Sequence, residues 1–194
     1  MNGNKIYKID KNGKRKRIFF IPGLSVKFLG ENSTVEIKEP IPKFSMCKIR
    51  LATNSTFKMG TTQNKIKKMG IFINSNSNVS IGDNFQLTSN LEIHSGDKDC
   101  TIGDDCMFGK NVLIRCTDDH TLLIGEECAN PTADIKIDNH VWLAEDVCVL
   151  KGVYIAKNSV VGLKSIVTKS IKEEGSVAAG IPAKVVKKIT NWRR

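Results

Sequence analysis

The chain has 194 residues, 40% of them apolar, and 30 Lys and Arg against 20 Asp and Glu give it a net charge of +10. That size supplies one domain with a continuous core and no room for a separate catalytic unit, so any activity sits on the main scaffold. No apolar run approaches the roughly 18 residues of a membrane span, so no membrane insertion is expected. With two Tyr and two Trp, the positive charge also lacks the stacking residues and motifs of a nucleic-acid binder.

Residues 1–28 read as a lead-in. The basic run Lys11 to Arg17 precedes IFFIPGL (Ile18 to Leu24), which is too short for a signal-peptide core and has no cleavage site; it reads as a first strand region of a cytoplasmic protein. The basic run suits a phosphate-rich cofactor, an acidic sugar polymer or a membrane surface, and solubilisation accounts for much of it.

From residue 29 an aliphatic residue recurs at every sixth position. The beat is broken at first, with Leu29, Val35 and Ile41, then Leu51 and Phe57, interrupted by Pro40 and Pro42. It is clean from Val79 to Ile114 (Ile81, Leu87, Ile93; Ile102, Phe108, Ile114) and again in Ile137, Leu143, Val149, Ile155, Val161 and Val167. In the last stretch the fourth residue after each is also small or apolar: Val141, Val147, Val153, Ser159, Ser165 and Ile171. A period of six belongs to neither a helix nor an ordinary strand but to a hexapeptide-repeat β-solenoid. Two inward residues per hexad form one flat face of a triangular prism, three hexads close a coil, and each strand pairs with its copy one coil away at about 4.8 Å. The expected fold is therefore all-β, a left-handed parallel β-helix over 29–172. Gly82, Gly103, Gly109, Asp138 and Gly162, each after an aliphatic residue, and Asn84, Asn111, Asn139 and Asn158 suit left-handed corners. Ala144 and Ala156, standing where such a repeat often has Gly, imply mild strain.

The beat stops for RCTDDHTLLIGEECANPTAD, residues 115–134, and a loop leaving a rigid scaffold is where chemistry is expected. Residues 173–194 read as a cap, a return segment followed by a short basic helix over the last coil. Of six cysteines, none forms a Cys-x-x-Cys pair, and Cys100 and Cys106 fall on inward positions as small hydrophobes. His120 stands in the loop as Asp-Asp-His. Histidine is the natural base for a hydroxyl proton near neutral pH, and Asp118 or Asp119 is placed to fix its tautomer.

His140 to Ile171 and AAGIPAKVVKKI (Ala178 to Ile189), with the Asp-Asp-His loop and ANPTADIKIDNHVW (Ala129 to Trp142), resemble the signature segments of hexapeptide-repeat O-acetyltransferases. The similarity runs from about Val79 to Ile189 and is strongest to enzymes that acetylate capsular polysaccharide or sialic acid. It implies acetyl-CoA as co-substrate, a carbohydrate acceptor, a homotrimer with sites at subunit clefts, and no metal. It places the general base on His120 with Asp119 beside it and Trp142 on the oxyanion wall. It puts Ala144, Leu163 and Thr168 along the pantetheine arm, and Lys169, Lys184 and Lys187 near the phosphates. Asn90 and Lys98 fall at acceptor contacts, and Lys98, where relatives can carry an acidic residue, favours an acidic acceptor. The same features leave open a xenobiotic or small-sugar acceptor, a covalent route through Cys116 or Cys128, a zinc site on His94, His120 and His140, and a scaffold solenoid without activity.

Overall fold

On one face of the prism the strands Lys5–Ile9, Thr34–Lys38, Thr56–Met59, Asn78–Ile81, Cys100–Ile102, Ile135–Ile137 and Tyr154–Ile155 stack in parallel, one from each of seven coils. The computed structural model describes residues 2–194 and contains no helix among them. The chain is a left-handed parallel β-helix.

Register gives the coil lengths. Ile137 pairs with Ile155 and Leu143 with Val161, eighteen residues on, as three hexads require. Upstream, Val35 pairs with Phe57 and Phe57 with Val79, twenty-two residues on. The surplus lies in the corners and makes the six-residue beat drift. That is why Leu29 is exposed and Ile41 only half-buried, while the inward columns run Val35–Phe57–Val79–Cys100–Ile135 and Ile37–Met59–Ile81–Ile102–Ile137–Ile155.

The lead-in is part of the solenoid. Lys5–Ile9 pairs with Thr34–Lys38 and Leu24–Phe28 with Cys47–Leu51, so the first coil begins at Lys5, with Arg15–Ile18 inserted as an antiparallel hairpin strand on Lys5–Ile9. The insertion gives this coil no repeat to detect.

The glycine expectation is corrected at the corners. Gly82, Gly103, Gly109 and Gly162 are not left-handed; the left-handed residue comes two places later, at Asn84, Asp105, Asn111 and Lys164. A Cβ on Gly103 would lie 2.8 Å from the Asp138 carbonyl carbon and 2.8 Å from the Asn139 nitrogen, so close coil stacking excludes a side chain there. The same offset puts His140, Asp146 and Asn158 at positive φ and frees Ala144 and Ala156 of the expected strain; His140, not Asn139, is the corner residue. One edge of the prism carries Met46, Lys68, Asn90, Asn111, Asp146 and Lys164, a second Asn84, Asp105, His140 and Asn158. At the third, Ser33, Ser55, Ser77 and Ser95 are fully buried; Ser33 and Ser55 lie 3.3 Å apart, Ser77 and Ser95 3.2 Å, and Ser55 and Ser77 each donate to a corner carbonyl.

Cys47, Cys100, Cys106 and Cys116 are buried and all six cysteines are free. Burial pushes the Cys106 thiol up to about 12, and the neighbouring Cys116 together with burial holds Cys100 well above its ordinary value, so both stay protonated.

The expected basic helix is instead a strand. Ala183–Lys188 folds back antiparallel on Ser176–Gly180, which itself pairs with Val160–Val161 of the last coil. Val185 and Val186 favour a strand, and the last coil presents a row of unpaired backbone groups that a hairpin satisfies and a helix would not.

Candidate functional site

The fifth coil interrupts itself at the Ser95 edge, where Arg115 ends the strand Met107–Arg115. The excursion contains a small hairpin, Leu123–Ile124 on Glu127–Cys128, turned at the left-handed Gly125. Its base is organised by Asn130, a residue the sequence reading did not single out although Asn-Pro marks a turn. The Asn130 side chain donates to Asp118 Oδ2 (2.8 Å) and the His120 carbonyl (2.9 Å) and accepts from the Leu122 N–H (2.5 Å). Lys151, from the coil above, donates to Asp118 and to the Asn130 carbonyl (2.8 Å).

His120 is exposed, and its ring makes no hydrogen bond among the described residues. Neither aspartate supports it, contrary to expectation. Asp119 is paired with Arg115, and Asp118 with Lys151 and Asn130. The Lys151 hydrogen bond, then that of Asn130, holds the Asp118 carboxyl below its ordinary value. A lowered carboxylate stabilises the folded loop above the unfolded-state pKa, about 3.9, and the contribution is lost as pH falls through the lower folded value. The protection factors of amides 118–130, taken against the intrinsic exchange rate at each pH, are therefore expected to fall below about pH 4 while those of the core strands hold. Unchanged loop protection there would mean that Lys151–Asp118 does not hold the loop.

Asp119, next to His120, lines an open cleft of about 440 Å³ on the adjoining face, with Lys48, Arg50, Phe72, Glu92 and His94. Stacking explains the arrangement. Lys27, Arg50, Phe72, His94 and Arg115 occupy one outward register position on successive coils, and Gly70 opens a notch between Lys48 and Glu92. Lys27, Lys48 and Arg50 have no ion pair among the described residues. The row has no signature in the six-residue beat, because its steps are 21 to 23 residues long.

Within one chain the other expected site residues are scattered. Trp142 is half-buried beside the His140 edge, its ring 6.0 Å from that of Trp192, and away from the loop edge. Ala144, Leu163 and Lys184 lie on successive layers of one face, since Ala144 bonds the Val161 carbonyl, Gly162 the Ala178 carbonyl, and Lys184 pairs with Ala179. Thr168 and Lys169 are exposed on the next face; Lys187, opposite Val177, is about 10 Å from Lys184 along its strand. Asn90 donates to Asn111 Oδ1 (3.0 Å) and Asn111 to Asp146 Oδ1 (2.9 Å), a corner ladder that occupies its amide group; Lys98 lies by the loop edge, not beside Asn90. Cys116 is fully buried, with its sulfur 3.7 Å from the Asp99 carbonyl, so it has no access to a thioester, whereas Cys128 is exposed. His94 packs near Phe72, and His140 is held by Asp105 and stacked on Trp192; among the described residues no group of three His, Cys, Asp or Glu could hold a metal ion.

No protein-family model matches the chain. Over 125 residues, 62% of this chain and 59% of the relative, it is 38% identical to the galactoside O-acetyltransferase of Escherichia coli. A galactoside acetyltransferase in complex with coenzyme A superposes with a TM-score of 0.58 at 31% identity, over 71% of this chain and 66% of that one. A polysialic acid O-acetyltransferase superposes over 99% of this chain and 88% of its own, with a TM-score of 0.76 at 29% identity. The chain belongs to the hexapeptide-repeat O-acetyltransferases. The chain spans less than two thirds of the length of the curated relatives it matches.

Proposed function

We propose that this protein transfers the acetyl group of acetyl-CoA to a hydroxyl of a bacterial surface carbohydrate, with His120 as general base. The observation that carries the reading is the loop. It holds an unpartnered imidazole in solvent on a rigid coil edge, next to a residue that lines an aromatic and cationic cleft. The acceptor hydroxyl gives its proton to the imidazole as its oxygen attacks the thioester carbonyl. The tetrahedral oxyanion then collapses, the C–S bond breaks, and the imidazolium returns the proton to the departing thiolate. Phe72 offers a face for a sugar ring, and Lys48 and Arg50 favour an acidic sugar of the capsular or sialic acid type. The similarity to a coenzyme A complex supports acetyl-CoA as co-substrate.

A homotrimer completes the site in this reading. Leu122, Leu123 and Ile124 are exposed on the loop, as are Leu163, Ile181, Val185 and Val186 at the last coil, and their burial against neighbouring copies would bring Trp142 and the cofactor face of one chain to the loop of another. No helix among the described residues is long and apolar enough to cross a membrane; acetyl-CoA as donor supports a cytoplasmic reaction.

Direct transfer requires both substrates to be bound together. Initial-rate plots are expected to intersect, and mass spectrometry after incubation with acetyl-CoA alone is expected to show unmodified protein. Parallel lines with an acetyl adduct on Cys128 would replace this mechanism by a covalent one. Lys184→Ala is expected to raise the KM for acetyl-CoA about tenfold at low salt and less at high salt, leaving the acceptor KM unchanged; an effect on the acceptor alone would assign the lysine to an anionic sugar.

A further inference from the structure

The basic run Lys11 to Arg17 and the adjoining Phe19–Phe20 take no part in the site above, and the fold places them at one end of the prism, on and beside the edge strand of the first coil. Arg15–Ile18 is the outermost strand of its sheet, and its turn is closed by Asp10, whose carboxylate accepts from the backbone N–H of Asn12 (2.8 Å) and Lys14 (2.9 Å). Lys11, Lys14, Lys16 and Arg17 are exposed and have no ion pair among the described residues. The nearby carboxylates are already engaged, Glu36 by Arg15 and Glu39 by Lys8. Immediately after the strand, Phe19 is 82% exposed, Phe20 73% and, from the next coil, Met46 71%. Phe19 and Phe20 rim an open depression of about 570 Å³ floored by Ile21, Leu24 and Val26. The Arg17 guanidinium lies 5.1 Å from the Phe19 ring centre and leaves most of the ring in water.

We propose that this end of the prism docks on a membrane surface that carries anionic lipid headgroups. Lys11, Lys14, Lys16 and Arg17 meet the phosphates, and Phe19, Phe20 and Met46 lie in the interfacial layer. Two signals coincide on the patch: unneutralised cations, which are drawn to an anionic leaflet, and side-by-side aromatic groups suited to the headgroup boundary. Each alone gives weak, reversible attachment; together they hold. Charge favours lipid over a second copy of the chain, because two-fold self-docking would set these same cations against each other with no free carboxylate to meet them.

The test is co-sedimentation of the full chain with phosphatidylcholine vesicles that contain or lack phosphatidylglycerol, alongside light scattering of the chain alone. Binding is expected only to vesicles with phosphatidylglycerol, weakening as salt is raised. Lys14→Glu/Lys16→Glu/Arg17→Glu is expected to lower the partition coefficient on the order of 100-fold, and Phe19→Ser/Phe20→Ser about tenfold. All five side chains are exposed, so thermal unfolding should be unchanged in both variants and reports any folding defect. Equal binding to the two vesicle types, or binding to neither, would overturn the proposal. So would a lower molar mass for Phe19→Ser/Phe20→Ser without vesicle binding by the parent, since the patch would then join copies of the chain.

Discussion

His120→Ala is expected to lower turnover on the order of 100-fold or more, the loss that follows removal of a general base. The KM for acetyl-CoA should change little, because the base acts on the acceptor proton. The variant should fold normally: the ring is exposed and only the backbone carbonyl of His120 joins the loop network, through Asn130. The measurement is steady-state thiol release with saturating acceptor, checked by thermal unfolding. Near-parental turnover would remove His120 from the mechanism and turn attention to His94, the histidine that lines the cleft.

Phe108→Ala is expected to destabilise the chain by about 3–5 kcal/mol, read from denaturant unfolding. Phe108 is fully buried, stacked between Leu87 and Leu143 in its column, and meets Phe85 edge to face at 5.1 Å. Its coil cannot collapse around the void, because the backbone hydrogen bonds above and below keep the coils at a fixed rise. Exposed Phe20 serves as the contrast, since its replacement should stay within about 0.5 kcal/mol. Similar losses at the two positions would mean that burial in the columns does not set stability.

Legibility of the fold followed regularity. The coils from Ile135 onward have three hexads each, so their inward residues could be named from the sequence, down to the buried Ser159 and Ser165. The first coils have the same inward columns, but extra corner residues and the inserted strand Arg15–Ile18 hid the period and misassigned Leu29. The terminal hairpin was missed because a basic segment read in isolation does not show the unpaired edge it covers.

The loop was visible as a break in the beat, and His120 as the histidine within it. Its supports were not: Lys151 comes from the next coil, and the Asp119 carboxylate, four residues from Arg115, is drawn to that cation instead of to the imidazole. The Lys151–Asp118 pairing spans 33 residues and has no local signature in sequence. The final segment is similar: Trp192 stacks on His140 at 4.1 Å and donates to its carbonyl, and Arg194 reaches Asp105 at 2.7 Å. Burial acts to raise the Asp105 carboxyl, and the His140 hydrogen bond with the Arg194 charge outweighs it, leaving the group below its ordinary value. These contacts span 35 to 89 residues, beyond the reach of any motif.

The proposed acetyl transfer from acetyl-CoA to a sugar hydroxyl at the His120 loop can be followed as thiol release from acetyl-CoA across a panel of acidic and neutral glycans. Release is expected to depend on an acidic glycan, to be matched by an acetyl ester on the recovered sugar, and to fall to near background in His120→Ala. Thiol release that is the same with and without any glycan, or an ester formed equally well by His120→Ala, would contradict it.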